Sequence, residues 1–283
     1  WQAKPITDIK DADGVSTANI ERINSHVLKT FPQYIFGYNW APEYSGVVWP
    51  TLMPKLWKSI VPGCYLLDED LNTRGQDGSA DRNNLWQAFA KKVVRSVDWV
   101  RPYDGYHYSG AITPGSQVFG CHMLALLYAA GSRAAYVDPH QFSLDYSRFA
   151  LRYGEILFDN SLQRAKDPEK VVFVTAKQPV WWKDYVYTQK LDARRSRTVV
   201  HFLNPPVKAF LDYKENQPPP AQDGITVIGL APSPKATCTR AWVLSPDTEP
   251  FAVSVKPVWQ SGQAILTLPK LRYWSVVVFE WNQ

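Results

Sequence analysis

The chain has 283 residues, 45% of them hydrophobic, and its 31 basic and 26 acidic side chains leave a net charge of +5. That length suits one large core or, as the better expectation, two modest ones. A small, dispersed charge excess argues against a nucleic-acid partner. The longest apolar run, around Met123 to Ala130, falls well short of the ~18–20 residues of a membrane helix, so a soluble protein with no membrane partner is expected.

The chain opens on Trp1-Gln2-Ala3-Lys4-Pro5, with neither an initiator Met nor a signal pattern. A preceding segment or a second chain is therefore expected as a partner. Thr17 to Leu28 places Ile20, Ile23, Val27 and Leu28 at helical spacing, and Pro32 follows the end. Tyr34 to Trp40 then reads as a short strand. The unit repeats: Leu52 to Ile60 reads as a helix with Pro54 in its first turn, and Cys64-Tyr65-Leu66-Leu67 as a buried strand ending in Asp68-Glu69-Asp70. Asn72 to Asn84, rich in Gly, Asp and Asn, reads as a loop. A third helix over about Asn84 to Val97 leads into a strand Asp104-Gly105-Tyr106-His107-Tyr108. A fourth, Gln117 to Ala130, is apolar on nearly all sides and leads into Arg133 to Val137.

Alternation of helix and strand with short connections argues for parallel strands covered by helices. A complete eight-unit barrel needs about 250 residues, so residues 1–168 read as a partial (β/α)8-type barrel, closed by a helix from Leu144 to Leu157. Beyond Pro168 the pattern changes to short β-branched and aromatic runs separated by turns: Val171 to Val174, Tyr185 to Tyr187, Thr198 to Leu203, Ile225 to Val227, Ala241 to Leu244, Ala264 to Leu268 and Trp274 to Trp281. Residues 169–283 therefore read as an antiparallel β-sandwich, and the fold class is α/β plus all-β. Arg194-Arg195-Ser196-Arg197 reads as a solvated hairpin tip. Trp181-Trp182 reads as a plug between the two modules, and Pro218-Pro219-Pro220 as a stiff loop.

Aromatic residues make up 14% of the chain, including 12 Trp and 15 Tyr. Sugar rings stack their C–H faces on aromatic rings while Trp N–H and Tyr O–H serve the hydroxyl rim, so this content suits a carbohydrate substrate. Glycoside hydrolysis needs two carboxyl groups across the scissile bond, and barrels carry them at the carboxyl ends of strands. Asp68-Glu69-Asp70 directly follows a strand, and Glu69 is the expected acid with Asp68 second. Tyr38, Asn39 and Trp40 end the preceding strand and suit a sugar platform with a hydroxyl anchor. Tyr106 and His107 end the third strand, and Asp138 the fourth, as further substrate contacts.

The last barrel helix, Tyr146 to Leu157, the strand Val199-Val200-His201-Phe202-Leu203-Asn204-Pro205 and the terminal Leu268 to Val278 together resemble, in layout and cadence, the C-terminal half of a glycoside hydrolase barrel and its sandwich, as in dextranase-like enzymes of glycoside hydrolase family 66. The resemblance implies a hydrolase or transglycosylase acting on a polysaccharide or oligosaccharide, with a nucleophilic Asp on a strand preceding Trp1. The alternative is a catalytically silent glycan-binding or assembly subunit that keeps the fold. An extracytoplasmic setting is expected over a cytoplasmic one.

No cofactor or metal is expected. The acidic loops Asp8 to Gly14 and Asp70 to Asp81 lack the EF-hand spacing and read as surface turns. The three cysteines lack metal-ligand spacing and allow at most one disulfide. No phosphate loop or serine nucleophile elbow occurs.

Overall fold

In the computed structural model the described residues are 12–32, 36–39, 55, 64–67, 87, 90, 103–104, 114–132, 141–208 and 216–283. Helix α1 (Ala12–Thr30) contains Asp13, ends with Lys29 in its last turn, and lays Ile20 against the main core. Three strands follow, β1 (Phe36–Asn39), β2 (Cys64–Leu67) and β3 (Tyr103–Asp104), forming a sheet in that order with both pairs parallel. Parallel neighbours need a crossover, and the described residues between them, Lys55 before β2 and Gln87 and Ala90 before β3, are helical. The expected fourth strand, Arg133 to Val137, lies outside the described residues. Of the expected third strand, Asp104 is in β3 and pairs with Leu67, Tyr103 before it pairs with Leu66, and Gly105 to Tyr108 lie outside the described residues.

Helix α2 (Pro114–Ala129) begins three residues ahead of the sequence expectation at Gln117, with Pro114 at the first helical position, where the missing N–H has no intrahelical role. From Val118 to Ala130 every residue is buried, as its mostly apolar sequence requires, and His122 is the polar side chain buried with them. The helix ends in a left-handed turn at Gly131 (φ 86°), which lets Ser132 N–H reach back to the Leu127 carbonyl at 2.9 Å. The next helix is divided: α3 (Gln141–Arg152) stops before Tyr153, and a single turn, α4 (Gly154–Leu157), follows. The periodicity from Leu144 to Leu157 read as one helix, yet the break at Tyr153 lets Ile156 and Leu157 be buried.

The remaining strands build two antiparallel sheets. The larger contains β4 (Gln163–Arg164), β6 (Val186–Lys190), β7 (Arg195–Leu203), β9 (Thr237–Leu244), β10 (Ala252–Val255) and β13 (Trp274–Asn282), in the order β10-β9-β13-β7-β6-β4. Its first strand, β4, precedes residue 169. The smaller contains β5 (Val172–Thr175), β8 (Ile225–Leu230), β11 (Val258–Gln260) and β12 (Gln263–Leu268), in the order β11-β12-β8-β5.

The larger sheet is a middle layer. On one side Val200, Phe202, Val243, Val277 and Phe279 pack against Val172, Val227, Ala264 and Leu266 of the smaller sheet. On the other, Tyr187, Val199, Leu244, Trp274 and Val276 pack against Met123, Leu127, Tyr146 and Phe149 of α2 and α3. Coverage of both faces explains the near-continuous burial from Thr198 to Asn204 and from Trp274 to Phe279, where a strand with one wet face would alternate. Between the two sheets the fit is tight at Gly229, where a Cβ would stand 2.9 Å from the Phe279 ring.

The hairpin reading of the basic cluster holds at its tip. Asp192 accepts backbone N–H groups of Arg194 and Arg195 at 2.8 Å and pairs with the Arg195 guanidinium at 2.6 Å. Arg197 instead turns inward to Glu280 at 3.0 Å. The two tryptophans of the expected plug part company: Trp181 bridges to Leu203 and packs on the helix-side core, while Trp182 packs on the core between the sheets.

Candidate functional site

The parallel sheet has one edge at which all three carboxyl strand ends stand in register. Asn39 is paired with Leu67, and Leu67 with Asp104. Of the residues singled out from sequence, Tyr38 and Asn39 lie in β1, opposite Leu66 and Leu67. Trp40, Asp68, Glu69, Tyr106, His107 and Asp138 lie outside the described residues. Trp40 is the residue after Asn39, and Asp68 and Glu69 are the two after Leu67. In open α/β sheets, ligands bind outside the carboxyl ends of the strands. Asp104 is the residue that sequence reasoning passed over, because it was read as the start of its strand; it is the last described residue of β3 and pairs with Leu67, at the carboxyl end of β2.

Buried titratable groups concentrate where α2 and α3 meet the middle sheet. The Asp247 carboxylate, just beyond β9, accepts the Tyr146 hydroxyl at 3.0 Å through Oδ1. Through Oδ2 it accepts the Tyr273 and Trp274 backbone N–H groups at 2.9 and 3.0 Å. Burial raises its pKa against the opposing pull of those bonds. Burial and then the Asp247 charge also hold the Tyr146 hydroxyl far above its ordinary value, and push the Cys121 thiol up in the same way. A thiol so held is not a nucleophile near neutral pH. Among the described cysteines, Cys121 and Cys238 are free.

Two histidines share this junction. His122 sets its ring nitrogens 3.1 and 3.2 Å from the Val118 and Asn204 carbonyls, and burial lowers its pKa to about 4. His201 lies parallel to the Trp274 indole at 5.8 Å, accepts its N–H at 3.3 Å, and is lowered by burial to about 3. Both are neutral at pH 7. Trp274 is the hub, with Phe149 edge-on at 5.1 Å and Tyr128 and Tyr146 each at 6.0 Å. These groups fasten the helices to the sheet, the neutral His122 ring donating to one of the two carbonyls it faces. Among the described residues no group of three or more His, Cys, Asp or Glu side chains is placed to hold a metal, and no helix is long and apolar enough to cross a membrane.

No protein-family model matches the chain, and no curated protein does. Among solved structures it is similar to a cycloisomaltooligosaccharide glucanotransferase of Paenibacillus, at 19% identity and a TM-score of 0.45, over 60% of this chain and 27% of that one. It is also similar to a glycoside hydrolase family 30 xylanase of Clostridium acetobutylicum (11%, TM-score 0.40, 97% of this chain and 73% of that one). A glycoside hydrolase family 44 endoglucanase of Clostridium is matched at 12% and a TM-score of 0.43, over 95% of this chain and 61% of that one. The chain thus spans about a quarter of the glucanotransferase. The solved structures it is similar to are carbohydrate-active enzymes, at identities and TM-scores that leave activity and substrate to be argued from its own residues.

Proposed function

We propose that the chain carries part of the catalytic site of a glycoside hydrolase or transglycosylase acting on a polysaccharide or oligosaccharide. The observation that carries this reading is the register Asn39, Leu67, Asp104, which brings three carboxyl strand ends to one edge, one of them directly followed by Asp68-Glu69. Glu69 is the general acid. It protonates the glycosidic oxygen as the bond to the anomeric carbon breaks, and a carboxylate across the scissile bond completes the pair. Such an acid must keep its proton near neutral pH, which neighbouring carboxylates promote by disfavouring a further negative charge. Asp68, Asp70 and Asp104 are those neighbours. Tyr38, Trp40 and Tyr106 supply rings for sugar faces, and Asn39, His107 and Asp138 hold hydroxyls. On this reading the carbohydrate-acting region spans residues 1–168 and the sandwich 169–283.

The test is Glu69→Gln, which nearly preserves shape but removes the transferable proton. Glycan cleavage by the complete enzyme should fall by at least about 100-fold, the usual scale of general acid catalysis, with folding unchanged. A variant with normal activity removes Glu69 from the site. A complete protein that binds glycan and never cleaves it favours the silent-subunit reading.

A further inference from the structure

The end of the sandwich at which β7 stops is organised around Asn204. Its side-chain N–H groups donate to the Pro220 and Arg272 carbonyls at 3.0 and 2.7 Å, and its own carbonyl faces His122. The Gln222 amide donates to Asn204 Oδ1 at 2.8 Å and to the Pro179 carbonyl at 3.0 Å. The connection after β5 and the two described ends of the single connection from β7 to β8 are thereby tied to one buried residue. They line an open groove of about 560 Å³, with Asn204 and Gln222 among its lining residues. That volume is in the range of small-ligand sites, about 300–1,000 Å³.

We propose that this groove is a carbohydrate-binding site separate from the parallel-sheet edge, and that it takes a neutral oligosaccharide. Its exposed polar groups are one ammonium, Lys177, one carboxylate, Asp223, and one amide, Gln178. Neither Lys177 nor Asp223 has an ion-pair partner among the described residues. The ammonium, the carboxylate and the amide offer both donors and acceptors and the two charges cancel, which matches a ligand dense in hydroxyls and without net charge. Between them stand the rings of Pro179, Pro205 and Pro220, rigid apolar faces for sugar C–H groups. Gln222, which lines the groove, has both amide hydrogens committed, to Asn204 Oδ1 and to the Pro179 carbonyl, so its side chain is held in place. Because the loops are already bonded together through Asn204, ordering them on binding costs little.

The ligand class rests on the carbohydrate reading above, whereas the site does not depend on Glu69. The experiment is titration calorimetry of the whole chain, carrying Glu69→Gln so that no probe is consumed. The probes are α-1,4-linked and α-1,6-linked glucose heptamers, a β-1,4-linked glucose hexamer and a β-1,4-linked xylose hexamer. At least one probe should bind and shift the Gln222 side-chain amide resonances in 1H–15N spectra. The exposed pair Lys177→Ala and Asp223→Ala, introduced together, should weaken that binding by about tenfold or more, with the unfolding temperature unchanged. Binding unaffected by the pair, or no binding of any probe, overturns the groove. Loss of binding in the pair, together with undiminished cleavage by a complete Glu69→Gln enzyme, upholds the groove and rejects Glu69. Unaffected binding with cleavage lost in Glu69→Gln does the reverse.

Discussion

Asp247→Ala should be among the most damaging single substitutions in the described part of the chain. The carboxylate accepts three hydrogen bonds, from the Tyr146 hydroxyl and from the Tyr273 and Trp274 backbone N–H groups, at the seam between α3 and the middle sheet. Alanine leaves all three donors without this acceptor. At about 1–3 kcal/mol for each group left unsatisfied the three come to about 3–9 kcal/mol, toward the lower end because the bonds are part-buried, and still a large part of the ~5–15 kcal/mol that holds a typical domain folded. Asp247→Asn keeps one oxygen for the two backbone donors and should lose only about 1–2 kcal/mol. Urea denaturation followed by circular dichroism measures both. Tyr146→Phe combined with Asp247→Ala should cost less than the two singly, since they remove one shared bond. The buried Asp247 carboxyl also holds its proton to a higher pH than the unfolded value of 3.8. The native state therefore binds more protons than the unfolded one between 3.8 and the raised value, and wild-type stability falls as pH rises through that window. Asp247→Asn should lack that slope. An Asp247→Ala protein within about 0.5 kcal/mol of wild type, the scale of ordinary surface changes, would refute the reasoning.

Gly229→Ala forces a methyl group to within 2.9 Å of two Phe279 ring carbons, and that ring is wholly buried and stacked on Trp281 at 5.7 Å. A loss of about 1–3 kcal/mol is expected from overpacking, and Phe279→Leu in the same chain should recover part of it. The two buried histidines set the acid response. With an ordinary value of 6.5 and folded values of about 4 for His122 and about 3 for His201, their contribution is complete above pH 6.5 and is lost as pH falls toward the folded values. Urea midpoints at pH 7 and pH 5 should differ by about 2 kcal/mol for His122 alone. Midpoints that coincide would mean that the histidines are not held neutral.

Local signals reached far into this fold. Cys64 to Leu67 is a four-residue apolar run, and it is a strand with those bounds; the β-branched and aromatic runs at Thr198 to Leu203 and Trp274 to Trp281 lie in the two long central strands of the middle sheet. Such patterns are legible because side-chain period and branching act on the backbone within a few residues. Strands that owe their existence to a neighbour were not legible: β4, β10 and β11 are short edge or near-edge strands whose pairing with β6, β9 and β12 defines them. The same holds for the middle layer. An unbroken apolar run at Trp274 to Phe279 is compatible with burial of any kind, and only the arrival of α2 and α3 on one face and of the smaller sheet on the other makes it doubly covered. For the candidate site, the strand-end rule picked out Asn39 and Asp68-Glu69 from the sequence. The pairing of Asp104 with Leu67 came from register, a relation between stretches of chain dozens of residues apart. Asp247 is the extreme case: an acidic residue in a turn has no local mark of burial, and its role appears only when Tyr146, 101 residues away, closes on it, because the free energy of a buried hydrogen bond depends on a partner that the local sequence does not name.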